Sequence, residues 1–252
     1  MAEEFLPITV FRQREIDETR VEGMGNKDKP KWVLSGADLH EHAQSLIAGL
    51  SDAYEGVLHN EVLPYIYDVR LNAKDTSKTK RKPIVDMLNV DGANGEANVI
   101  GMRGANSLIV RAKDAGQVRA MEERLSDKER YDLPLTCIES ISRFVPEIKS
   151  TPDETVYKAR LLDFGPDAAL CERVFEDQLD FLCIAFQKVS YAQDLNVYRL
   201  EANQSQVEMI ADGVASETLF FIRPMPRCVA TLDGMPSTET PDPMKPDLDM
   251  EY

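Results

Sequence analysis

The sequence predicts an α+β protein: an amphipathic helix, then two tandem β-α-β-β-α-β units, flanked by an extended charged arm and an acidic tail. Three observations carry this. Apolar residues from Leu39 to Val57 recur at helical spacing, segments of two later regions match each other in the same order, and the last 20 residues lose every folding signal.

Residues 1–32 form the arm, with Arg12, Arg14, Glu15, Asp17, Glu18 and Arg20 ahead of a Gly-rich turn and no helical periodicity. In residues 33–60, Ser35 and Asp38 have the spacing of a capping box. Leu39, Ala43, Leu46, Ile47, Leu50, Tyr54 and Val57 then define one stripe of a long helix.

The repeat sets the next two boundaries, 61–150 and 151–232. Tyr67, Arg70 and Leu71 recur as Tyr157, Arg160 and Leu161 at an offset of 90. Gln117 and Val118 recur as Gln206 and Val207, each pair just behind a residue suited to cap a helix, Asp114 and Asn203. Arg143 and Pro146 recur as Arg223 and Pro226 at an offset of 80.

The second copy reads as a strand at 156–162 and a helix opened by Gly165 and Pro166 with Cys171, Phe175 and Leu179 inward. A hairpin at 188–200, a helix after Asn203 and a strand at 219–223 follow. The first copy reads as a strand at 65–71, a basic turn from Lys74 to Lys82 and a short helix at 83–89. After a Gly/Asn-rich loop come strands near 98–102 and 107–112, a helix at 115–126 and a strand at 135–143. The order is that of the split βαβ, or ferredoxin-like, unit. The tail, residues 233–252, has four prolines and six acids against one lysine, and reads as a disordered linker or partner-bound segment.

Composition narrows function. The 252 residues carry a net charge of −15, which argues against phosphate-backbone binding as the main activity. No apolar run approaches the ~18 residues of a membrane span and the acidic start does not resemble a signal peptide, so a cytoplasmic address is expected. Four scattered cysteines, Cys137, Cys171, Cys183 and Cys228, lack metal spacing and read as buried reduced thiols.

Of the three histidines, His40 and His42 lie two apart on a helix and read as solvated, and no HExxH, GxSxG, Walker A or GxGxxG pattern occurs near them or His59. No catalytic residue, metal ligand or cofactor-binding residue is assigned. The cluster Lys74, Lys78, Lys80, Arg81 and Lys82 reads as a solvated turn, since no aromatic RNP pattern accompanies it.

Several short motifs resemble the N-terminal region of bacterial intracellular subtilisin-like serine peptidases, a group often encoded beside an AAA-type ATPase. They are Phe11-Arg-Gln-Arg, Lys31-Trp-Val-Leu-Ser-Gly, Glu41-His-Ala-Gln-Ser-Leu, Ile138 through Ile148, Asp194-Leu-Asn-Val-Tyr-Arg and Ile222-Arg-Pro-Met-Pro, spread over most of residues 10–232. The resemblance implies a peptidase domain following a linker, in a parent acting in anti-phage defence with the ATPase as partner. No D-[ST]-G, HGT or GTS motif is present, so no triad residue carries over and this chain is expected not to cleave peptides.

Propeptides of subtilisins are single ferredoxin-like units that dock their sheet on the protease and send a tail into its cleft. By that likeness the peptidase contacts are expected at Phe221, Arg223 and Met225 and, in the tail, at Leu248, Met250 and Tyr252. The implied role is inhibition or chaperoning of a peptidase domain, in cis or in trans. Two readings stand beside it: a tandem small-molecule sensor with a pocket between the repeats, and an RNA-binding sheet.

Overall fold

A computed structural model describes residues 32–57, 59–72, 78–90, 97–152, 155–192 and 195–225. The arm before Trp32, residues 73–77 of the basic turn, the Gly/Asn-rich loop at 91–96 and everything after Met225 lie outside the described residues. So, therefore, do Cys228 and the tail positions Leu248, Met250 and Tyr252.

Helix α1 (Gly36–Ser51) turns the expected stripe inward, burying Leu39, Ala43, Leu46 and Leu50. It is shorter than the spacing predicts: Asp52–Tyr54 tightens into a 3-10 turn, and Val57 is exposed. The capping box is also absent. The chain enters the helix through Gly36 in the left-handed region, and the Ser35 side chain makes no cap bond.

The first half continues with β1 (Tyr65–Leu71), α2 (Lys78–Leu88), β2 (Val99–Met102), β3 (Ser107–Ala112), α3 (Ala115–Ser126), α4 (Lys128–Cys137) and β4 (Ile138–Arg143). Its sheet has the order β2-β3-β1-β4 with every neighbour antiparallel. Alternation along β1 sends Tyr67, Val69 and Leu71 into a core with Leu46 of α1, Ile84 of α2, Met121 of α3 and Leu135 of α4.

Two elements depart from expectation. Helix α2 starts inside the segment read as a turn, because Ile84, Met87 and Leu88 have a core to enter. Helix α4 replaces the start of the last predicted strand, so Cys137 ends a helix. Pro134 and the non-helical Tyr131 (φ −119°, ψ 25°) interrupt it, which hides its period from a pattern search.

The second half comprises β5 (Glu147–Ile148), β6 (Val156–Leu161), α5 (Ala168–Phe181), β7 (Ala185–Ala192), β8 (Leu195–Glu201), α6 (Gln204–Asp212) and β9 (Leu219–Pro224). Its sheet order is β5-β9-β6-β8-β7, with β5 parallel to β9 and the other pairs antiparallel. Phe175 and Leu179 of α5 and Val207 and Ile210 of α6 pack on Tyr157, Ala159, Tyr198, Leu200 and Ile222. Both matched caps form: Asp114 accepts from the Gln117 amide and Asn203 from the Gln206 amide. The ladder shifts register at the matched dipeptides too, Arg70/Leu71 and Arg160/Leu161.

A third apolar cluster joins the halves: Leu63, Ile66, Ile109 and Phe144 meet Leu162, Phe164 and Cys171. At its edge Phe144 stacks on Phe220 with centroids 6.2 Å apart. Among the described residues no helix is long and apolar enough to cross a membrane.

Candidate functional site

Period-two alternation decides what the second sheet shows to its surroundings. With Tyr157, Ala159 and Leu161 turned to the helices, Val156, Lys158 and Arg160 take the opposite face. Register then brings their neighbours: Lys158 lies opposite Arg199 on β8 and Arg223 on β9, and Arg160 opposite Val197 and Phe221. The outcome is a face with four cations, Lys158, Arg160, Arg199 and Arg223, around a half-buried Phe221, with exposed Val189 beyond.

The three arginines are held in place. Arg223 lies over the Phe221 ring at 4.8 Å and Arg160 over Phe220 at 5.3 Å. Arg199 reaches Glu201 at 2.6 Å. Glu147 on β5 bonds Lys149 at 2.7 Å and also Arg223, and these two cations lower its carboxyl to about 2. The pairing of β9 continues past its last residue, the Met225 amide donating to the Val156 carbonyl at 2.9 Å.

Of the residues expected to meet a peptidase, Phe221, Arg223 and Met225 are therefore on or beside one open face. Leu248, Met250 and Tyr252 are outside the described residues. Their sheet neighbours Lys158 and Arg199 were not singled out in advance; alternation in 156–161 is the signal that places Lys158.

A second polar cluster lies between the halves. Glu217 is 3% exposed in the 3-10 segment before β9 and accepts from His59 Nδ1 at 2.8 Å and from Arg143 Nη2 at 3.0 Å. Tyr54 and Tyr65 wall in the imidazole at 4.9 and 4.3 Å. The Tyr54 hydroxyl is committed to Ile66, donating to its carbonyl and accepting from its amide.

The remaining candidates have structural explanations. Histidine 42 is not solvated: Nε2 of His42 meets the carbonyls of Leu135 and Ile138 at 3.1 and 2.9 Å, while His40 is exposed. Cys137 and Cys171 are buried thiols, but Cys183 is exposed at a turn with φ 52°, contrary to expectation. Burial, with Asp167 nearby, raises Cys171 to about 12, so it is an unreactive core thiol at neutral pH. Among the described residues no group of three or more His, Cys, Asp or Glu side chains could hold a metal ion.

Buried phenols yield a titration prediction. Burial raises Tyr54 to about 12, and raises Tyr67 and Tyr198 further. The unfolded chain releases these protons near pH 10, so their contribution to stability is complete below that and is lost as pH climbs through the native values. Absorbance at 295 nm is expected to show these three of the eight tyrosines still protonated above about pH 11. All eight ionising together near pH 10 in the folded chain would contradict the burial.

No protein-family model matches the chain, and no curated protein matches it.

Proposed function

We propose that this chain is a non-catalytic regulatory module of a subtilisin-like serine endopeptidase, which inhibits or chaperones the peptidase domain by docking the open face of its second sheet. In this reading each sheet with its helices is a ferredoxin-like unit. The two sheets share the orders β2-β3-β1-β4 and β7-β8-β6-β9. The observation that carries the docking role is the basic, aromatic face around Phe221 and Arg223, opposite the helix-covered one. A ring held under a guanidinium is a good interface anchor, since Arg and aromatic residues dominate binding energy. The acidic tail follows β9 in sequence and would enter the substrate cleft as an extended segment. An AAA-type ATPase would be the further partner.

The test mixes this chain with a separately made subtilisin-like peptidase domain and follows peptide hydrolysis and peptidase refolding. Inhibition or faster refolding is expected, and the Phe221→Ala, Arg223→Glu double variant should weaken it by about tenfold or more. No effect on either readout would sink the role.

One observation favours the small-molecule reading: a cavity of about 320 Å³ between the halves, lined by Ile100, Arg111, Asp163 and Phe164. Arg111 already donates there to the Phe164 carbonyl at 2.7 Å and to Asp167 at 2.8 Å, so its charge is spent on joining the halves.

A further inference from the structure

On the helical side of the second half, away from the open sheet face, lies a groove of about 620 Å³ between α5 and the turn after α6. Its apolar lining comes from Val174, Phe181, Leu182, Met209 and Val214. Phe181 is 84% exposed and Met209 54% exposed, which is unusual for adjoining large apolar side chains. The groove is built around Gln178, whose amide nitrogen donates to the Met209 carbonyl at 3.3 Å and whose oxygen accepts from the Ala215 amide at 2.8 Å. The absence of a side chain at Gly213 leaves room for this amide, which a Cβ there would displace. The charged residues lining the groove are two carboxylates, Asp177 and Asp212, with no lysine or arginine.

An occupant that satisfies this surface carries large apolar side chains next to cations. The chain's own N-terminal segment has that composition: Phe5, Leu6, Ile8, Val10 and Phe11 run directly into Arg12 and Arg14. We propose that residues 5–14 dock in the α5/α6 groove, the apolar side chains covering Phe181 and Met209 and the arginines meeting Asp177 and Asp212. Reach is ample, since the 17 residues between Arg14 and Trp32 extend to about 55 Å. Tethering also gives the segment an effective concentration on the order of millimolar, so weak contacts suffice. This inference does not depend on the peptidase reading, which uses the opposite face of the sheet.

Trypsin cleavage after Arg12 and Arg14 in the full chain reads the docking directly, against a free peptide of residues 1–20. The tethered segment is expected to be cut about tenfold more slowly than the peptide. Phe181→Glu and, separately, the Asp177→Lys, Asp212→Lys pair should each bring the rate to within about twofold of the peptide. These side chains are exposed, so the variants keep the fold, which circular dichroism checks. Cleavage as fast as the peptide in the unaltered chain overturns the proposal, as does protection that the groove variants leave unchanged. Protection that grows with protein concentration would place the segment on a second copy and overturn the intramolecular assignment.

Discussion

Replacing Glu217 with alanine is expected to lower the stability of the folded chain by about 3 kcal/mol, at the lower end of what removing one partner from a buried ion pair costs. The carboxylate comes from the second half, whereas both its partners, His59 and Arg143, come from the first. Glu217 is 3% exposed and His59 8%, so water cannot replace what alanine removes; Arg143, at 28%, recovers part of its hydration and sets the lower figure. The pair need not be intrinsically favourable for this to hold. The cost comes from a stranded guanidinium and an imidazole N–H facing a void. Arg143→Met combined with Glu217→Leu should therefore recover the part of the loss that comes from the stranded guanidinium, leaving only the unmatched His59 N–H. Urea unfolding of both variants checks it. A loss under about 1 kcal/mol for Glu217→Ala would mean that the cluster does not hold the halves together.

The ease of reading this fold from sequence follows how local each determinant is. Helix α5 was readable because Cys171, Phe175 and Leu179 fall every fourth residue with nothing to interrupt them. The caps at Asp114 and Asn203 were readable because the acceptor and its amide are three residues apart. Helix α4 was not, since it survives Pro134 and a kink at Tyr131 by burying Pro134, Leu135 and Cys137, a tertiary effect. The two-residue β5 exists because Glu147 and Ile148 find β9 more than 70 residues away. The candidate face divides the same way. Phe221 and Arg223 stand out as strand residues beside a proline and alternation gives the face of Lys158, but that Lys158 and Arg199 lie beside Arg223 depends on ladder register, which no local pattern contains. The His59–Glu217 contact spans 158 positions and left no trace in the sequence.

Gly49→Ala is expected to destabilise the chain by about 2–3 kcal/mol, against the usual sign of that substitution within a helix. Alanine ordinarily gains up to about 1 kcal/mol over glycine at such a site by narrowing the unfolded ensemble and favouring helical backbone. Here Gly49 faces the backbone of β4, and a Cβ would overlap the Ile141 carbonyl oxygen. That atom belongs to the strand backbone and cannot rotate aside, so α1 must lift. Lifting opens the packing of Leu46 and Leu50 on the sheet. Ala48→Gly, one residue earlier and exposed, is the matching control and should cost about 1 kcal/mol by propensity alone. The displacement should also reach the junction. The 3-10 turn that ends α1 delivers Tyr54, which lies under the Arg143 guanidinium at 5.4 Å and against the His59 ring. A lifted helix thus loosens both partners of Glu217 before that residue is touched. In the Gly49→Ala, Glu217→Ala double variant the two losses should sum to less than their separate values by about 0.5 kcal/mol or more. Strict additivity would mean that α1 and the junction respond independently, and that the Tyr54 contacts transmit nothing between them.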